Sequence, residues 1–238
     1  MSPSRSTRFI SLAILAIILL GTASRLVPRS GTLNSGIFYD PNAPTFVLQR
    51  DALDSRKIPF VGHSTDKPFG SYLQQTMSFA PFQKLFEAIN ATVGTLQSRS
   101  EAHVTVITPP EFDRVLKPAG IGIEEIERIA LESNIQNARL KPVCIGRFNG
   151  ALPNPVADLD KGNFLLYSLI VADVHGDLLG IRRKIFKLYR EKGGEGALFQ
   201  PEGFWPHVTI GFDRRDLFIE DGIYKGSNYC YAPIRLAK

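Results

Sequence analysis

At 238 residues, 44% hydrophobic and 21% charged, the chain has the composition of a soluble globular protein, which excludes a disordered polymer and a multi-span membrane protein. The length suits one large domain or two small lobes. The net charge of +5, from 28 basic and 23 acidic residues, mildly favours phosphate-bearing partners, but Arg5, Arg8, Arg25 and Arg29 crowd the N-terminus and discount it.

Phe9 to Leu20 reads FISLAILAIILL, preceded by Arg5 and Arg8 and followed by the small residues Gly21, Thr22, Ala23 and Ser24. About a dozen apolar residues in this setting suit a signal peptide and fall short of the ~20 that cross a bilayer. Counted through Ala23, the run also suits an uncleaved anchor, so residues 1–24 are read as a signal peptide or signal anchor, the chain's one membrane contact. Either way the basic side stays cytoplasmic and the rest faces the lumen or the exterior, which places the protein in the secretory pathway, secreted or membrane-anchored. In that compartment Cys144 and Cys230 can pair in one disulfide or stand as two buried thiols, and both readings stay open. Asn90-Ala91-Thr92 is a glycosylation sequon, usable only in the lumen.

Residues 25–68 are rich in Pro and Gly and weakly periodic, which reads as a partly irregular lead-in with one strand over Thr45 to Gln49. The body of the protein then spans 69–238. Phe82, Leu85, Phe86 and Ile89 follow helical spacing behind Pro81 and predict a helix to about Leu96. His103 to Thr108 predicts a short strand closed by Pro109 and Pro110, with a helical turn opening at PPEF. Ile123, Ile126, Ile129 and Ala130 mark a second helix. Val143 to Phe148 and Phe164 to Val171 are predicted strands, and Leu178, Ile181, Ile185 and Leu188 mark a third helix, with Arg182, Arg183, Lys184, Lys187 and Arg190 read as its solvated basic face. Val208 to Phe212 closes the series as another strand. Helix, strand, helix, strand thus occurs twice.

The chain has 4 histidines, and two of them open the same tripeptide, His103-Val104-Thr105 and His207-Val208-Thr209. At average residue usage this coincidence has a probability on the order of one in ten thousand. Side chains alternate along a strand, so each copy presents an imidazole and a hydroxyl to one face while Val104 and Val106, or Val208 and Ile210, pack on the other. An imidazole gives or takes a proton near neutrality, and a threonine hydroxyl can donate to a phosphoryl oxygen. Two such pairs across a groove can hold one tetrahedral phosphate, with one histidine activating water and the other protonating the leaving oxygen, without a metal or cofactor. No H-E-x-x-H or C-x-x-C occurs, so the sequence displays no zinc site.

The duplicated H-x-T motif, the Phe204-Trp205-Pro206 lead into its second copy, and the order of elements resemble the 2H (two-histidine) phosphoesterase superfamily. HVTVITPPEF and FWPHVTIGF are similar to its fungal Swiss Army Knife, RNA-repair-type branch, over roughly residues 70–220. The resemblance implies a bilobal α+β fold, with two pseudo-symmetric lobes whose mostly antiparallel sheets line a central groove and whose helices lie outside. It implies a cyclic phosphodiesterase-like hydrolase acting on a nucleotide or RNA end, with His103 and His207 as acid and base and Thr105 and Thr209 as phosphate contacts, in a chain expected to be monomeric. A non-catalytic module that keeps the groove to bind a nucleotide or RNA end is the alternative. Phe204 and Trp205 can stack a nucleobase, though aromatic residues more often build cores. His63 and His175 are read as ordinary structural histidines.

Overall fold

The β-branched run after each motif histidine favours a strand, and each such strand pairs with an earlier one. In the computed structural model, which describes residues 37–153, 155 and 160–238, β1 (Phe46–Leu48) is followed by β2 (Leu73–Met77), α1 (Phe79–Val93), β3 (Ala102–Ile107) and the short α2 (Pro109–Glu111). A π-helical turn (Phe112–Leu116) and a 3₁₀ turn (Lys117–Ala119) lead to α3 (Ile123–Glu132), β4 (Leu140–Ala151), β5 (Asn163–Asp173), α4 (Asp177–Glu191), β6 (His207–Phe212), β7 (Cys230–Ala232) and β8 (Ile234–Leu236). The signal peptide or anchor read over residues 1–24 lies outside the described residues. Among the described residues no helix is long and apolar enough to cross a membrane.

The fold is α+β. Strands β2 and β3 form an antiparallel pair, β6, β5, β4 and β7 form a four-stranded antiparallel sheet in that order, and β1 pairs with β8 in parallel. Strand, helix, antiparallel strand occurs twice, as β2, α1, β3 and as β5, α4, β6. The two motif strands lie side by side in space although they belong to different sheets. Just before β3, Gln97 exchanges both backbone hydrogen bonds with Phe212 at the end of β6 (2.7 and 3.1 Å), which stitches the two sheets together at that edge.

The predicted helices bury the predicted stripes: Phe82, Leu85 and Ile89 of α1, and Ile123, Ile126 and Ala130 of α3. Helix α1 stops short of Leu96 because Gly94 takes a left-handed φ of 79° and its N–H bonds back to the Asn90 carbonyl. The lead-in is anchored to the domain. Leu48 is fully buried on β1, and Gln136 donates to the Ser55, Ile58 and Thr76 carbonyls (3.4, 2.9 and 2.9 Å). Cys144 and Cys230 are joined by a disulfide with a Cα separation of 5.6 Å, fastening β7 and the segment before it to β4. Such links persist in oxidising compartments.

Arg182 departs from the sequence reading. It does not belong to the wet face of α4, where Arg183, Lys184, Lys187 and Arg190 are exposed, but is 1% exposed in the core. Standing one residue after Ile181 and three before Ile185, it points into the apolar stripe. Its guanidinium donates to Glu111 (2.7 and 3.2 Å), to the carbonyl of Val106 on β3 (2.6 Å) and to the carbonyls of Gln200 and Pro201 (3.0 and 2.8 Å). Phe199 and Phe204 lie against the guanidinium at 5.0 and 5.3 Å. Glu111 in turn caps its own helical turn, accepting from the Thr108 N–H (2.9 Å) while donating its N–H to Thr108 Oγ1 (3.3 Å). Arg182→Met, which keeps the stem and deletes the charge, leaves Glu111 and three buried carbonyls without their donor. It is expected to cost about 3–5 kcal/mol in denaturant unfolding; a loss below about 1 kcal/mol would show that the clamp is dispensable.

Candidate active site

Strand alternation places the motif side chains as the sequence suggests. On β3, His103 stands opposite Thr76 and Thr105 opposite Gln74; on β6, His207 stands opposite Ile170 and Thr209 opposite Ser168. Val104, Val106, Val208 and Ile210 are buried. His103, Thr105, His207 and Thr209 all line one cleft, about 750 Å³ counted to its open mouth. The cleft lies where β3 and β6 run side by side and where the Arg182 clamp holds the loop before β6.

The two imidazoles are held differently. His207 Nδ1 lies 2.7 Å from the Trp205 carbonyl oxygen. A carbonyl can only accept, so Nδ1 carries the proton and Nε2 keeps the lone pair in the neutral ring. His103 is 8% exposed; its Nδ1 has no hydrogen-bond partner among the described residues and sits 3.6 Å from Glu101 Oε1, beyond bonding range. Burial pushes both pKa values down to about 3, assisted at His103 by Arg99 and at His207 by Lys225. Both rings are therefore neutral at physiological pH.

Around Thr209 lies a charge cluster that the sequence did not announce. Asp216, 7% exposed, accepts four hydrogen bonds: from Lys225 Nζ (2.7 Å), the Leu217 N–H (2.8 Å), Arg99 Nη1 (3.0 Å) and Thr209 Oγ1 (3.2 Å). Burial opposes its charge, but Lys225 and Arg99 outweigh burial and hold the carboxyl below its usual range. Lys225, 4% exposed, is pushed down by burial, partly countered by Asp216, and also donates to Thr209 Oγ1 (3.3 Å). Two cations share one carboxylate beside Thr209, and Arg99 also lies 3.6 Å from Glu101 Oε1. Apart from the motif itself, the only signal for these residues lay in their charge, because Lys225 and Arg99 stand 9 and 117 positions from Asp216.

Phe204 is buried in the core yet also borders the cleft, and Trp205 is half-buried at the cleft with the Tyr224 ring 4.8 Å away, edge on. Asn90 is half-buried on α1, its Oδ1 accepting from the Leu96 N–H (2.9 Å), and is not among the cleft residues. His63 stacks on Tyr72 at 4.2 Å behind His103, and His175 is exposed just before α4. Among the described residues, no three His, Cys, Asp or Glu side chains are grouped to hold a metal ion.

The depressed histidines link stability to pH. In the unfolded chain each imidazole protonates near 6.5, whereas in the folded chain it stays neutral until about pH 3, so the stability they confer is complete above pH 6.5 and is lost as pH falls towards 3. Denaturant unfolding should show stability dropping from pH 7.5 to 5, with uptake of up to about two protons on unfolding. His103→Gln and His207→Gln should each flatten the slope; unchanged slopes in both would contradict the burial of these rings.

No curated protein and no solved structure matches the chain. The Swiss Army Knife 2H phosphoesterase domain matches residues 71–218, more than half the chain and a span that contains both H-x-T copies and the strands that bear them. The chain belongs to the Swiss Army Knife family of 2H phosphoesterase domains.

Proposed function

We propose that the chain hydrolyses phosphodiesters, cyclic diesters at nucleotide or RNA ends foremost, with His103 and His207 as its acid and base and with no metal. The observation that carries this reading is the convergence of both H-x-T pairs on a single cleft. The two halves, β2-α1-β3 and β5-α4-β6, act as related lobes that each bring one imidazole to the same phosphate.

A diester brings one negative charge between two neutral imidazoles. That charge raises both pKa values and favours one shared proton, so the substrate itself installs the acid form that burial disfavours. The neutral ring takes a proton from water as its oxygen bonds to phosphorus, and the protonated ring donates to the leaving oxygen as that P–O bond breaks. With a 2′,3′-cyclic substrate the products are a phosphomonoester and the freed hydroxyl. Exchange with solvent returns the rings to their starting state.

The test is turnover of 2′,3′-cyclic nucleotides, linear oligonucleotides and cyclic nucleotides by the purified chain with chelator present. At least one should be hydrolysed with a bell-shaped pH profile, and His103→Ala and His207→Ala should each slow it by roughly 10² to 10⁴. Their combined loss should fall well below the product of the two, because the pair works as a unit. Binding without turnover would make the chain a binding module that keeps the groove. Activity abolished by chelator and restored by zinc or manganese would overturn the two-histidine mechanism.

A further inference from the structure

The match to the family ends at Phe218, but the cleft does not. Tyr224 and Lys225 line it from the segment that follows. This segment is fixed at several points: Ile223 is buried with Leu217, Phe164 and Leu166 in a small second core, β7 pairs with β4, and Cys230 is bonded to Cys144. At Gly226 a Cβ would meet Trp205 Cδ1 at 2.7 Å, so the backbone passes too close to the cleft aromatic for any side chain.

Lys225 itself adopts φ 49°, in the left-handed region that a non-glycine residue occupies only under strain. Strain of this kind persists where the surroundings over-determine it, characteristically at functional sites. Here it carries a buried ammonium to Asp216 and Thr209. The hydroxyl proton of Thr209 is already given to Asp216, and Asp216 is saturated by its four donors. Neither group therefore has a donor to spare for a phosphoryl oxygen. An ammonium has three protons; Asp216 and Thr209 occupy two, which leaves one for an oxygen in the cleft.

We infer that Lys225, which lies beyond the residues matched to the family, is the phosphate-binding cation of the second half of the site, and that Thr209 and Asp216 hold it in place. The inference rests on the phosphoesterase reading and gives that reading a cation beside Thr209 to meet the negative charge of a diester. It also makes the disulfide-fastened segment part of the active site.

Inorganic phosphate binding by the full chain, followed by calorimetry, tests this in Lys225→Met and Lys225→Arg, with kcat and KM for a 2′,3′-cyclic nucleotide measured alongside. Lys225→Met should weaken phosphate binding by tenfold to a hundredfold, about the worth of one charge-assisted hydrogen bond, and should raise KM. It should also raise the His207 pKa, read from imidazole resonances, because the cation beside that ring is gone. Lys225→Arg should restore much of the phosphate affinity. Lys225→Gln, which keeps a donor for Asp216, replaces the Met variant if that fails to fold. A folded neutral variant that binds phosphate like the unsubstituted chain, with the His207 pKa unmoved, overturns the inference. Since phosphate binding is read without turnover, failure of the hydrolase reading and failure of the lysine give different results.

Discussion

The buried pair of Arg182 and Glu111 is the interaction on which the geometry of the cleft depends. Separated by 71 positions, the two residues join α4, the turn after β3 and the loop before β6. One guanidinium holds the Val106 carbonyl one residue beyond Thr105 and the Gln200 and Pro201 carbonyls a few residues before His207. Both motif strands are thereby positioned from a single point. A buried ion pair is weak evidence for stability as such, since burial strips both charges of water. Here its donations to Glu111 and to the Val106, Gln200 and Pro201 carbonyls match a fixed fork that no apolar residue can imitate, so its role is to specify a geometry.

Given that geometry, the chemistry follows from an uneven distribution of charge. The imidazoles are buried and neutral, whereas a few ångströms away two cations share a carboxylate. In the proposed reaction an anionic substrate would meet Lys225 and, once there, change the protonation of the rings beside it. The halves are alike in strand order but unlike in detail. The tautomer of His207 is fixed by the Trp205 carbonyl, whereas Nδ1 of His103 has no hydrogen-bond partner among the described residues, and Lys225 donates to Thr209 on the His207 side. Two related strands thus end up with different electrostatic settings, a condition for splitting the roles of acid and base.

What could be read from the sequence was what depends on local period. The H-x-T pairs were legible because strand alternation places His103 with Thr105, and His207 with Thr209, whatever surrounds them. The helical stripes of α1, α3 and α4 were legible for the same reason. Contacts between distant positions were not. Arg182 looked like a member of a solvated basic run, since charge alone says wet; only its place between Ile181 and Ile185 hinted otherwise. Asp216 and Lys225 gave no pattern, because their meaning lies in Arg99 and Thr209, brought near by the pairing of Gln97 with Phe212. Likewise β1 finds its partner in β8, at the far end of the chain. The sulfur pairing was left open by spacing and is decided by the approach of β7 to β4.

The central claim is that two imidazoles from two strands address one phosphate. Nitrogen-15 NMR of the four histidine rings during titration with inorganic phosphate tests it without requiring a known substrate. The account predicts that the His103 and His207 resonances move together along one binding curve and that their pKa values rise from about 3, while His175 stays unchanged. Two different binding curves, or a response from only one of the two motif rings, would contradict it.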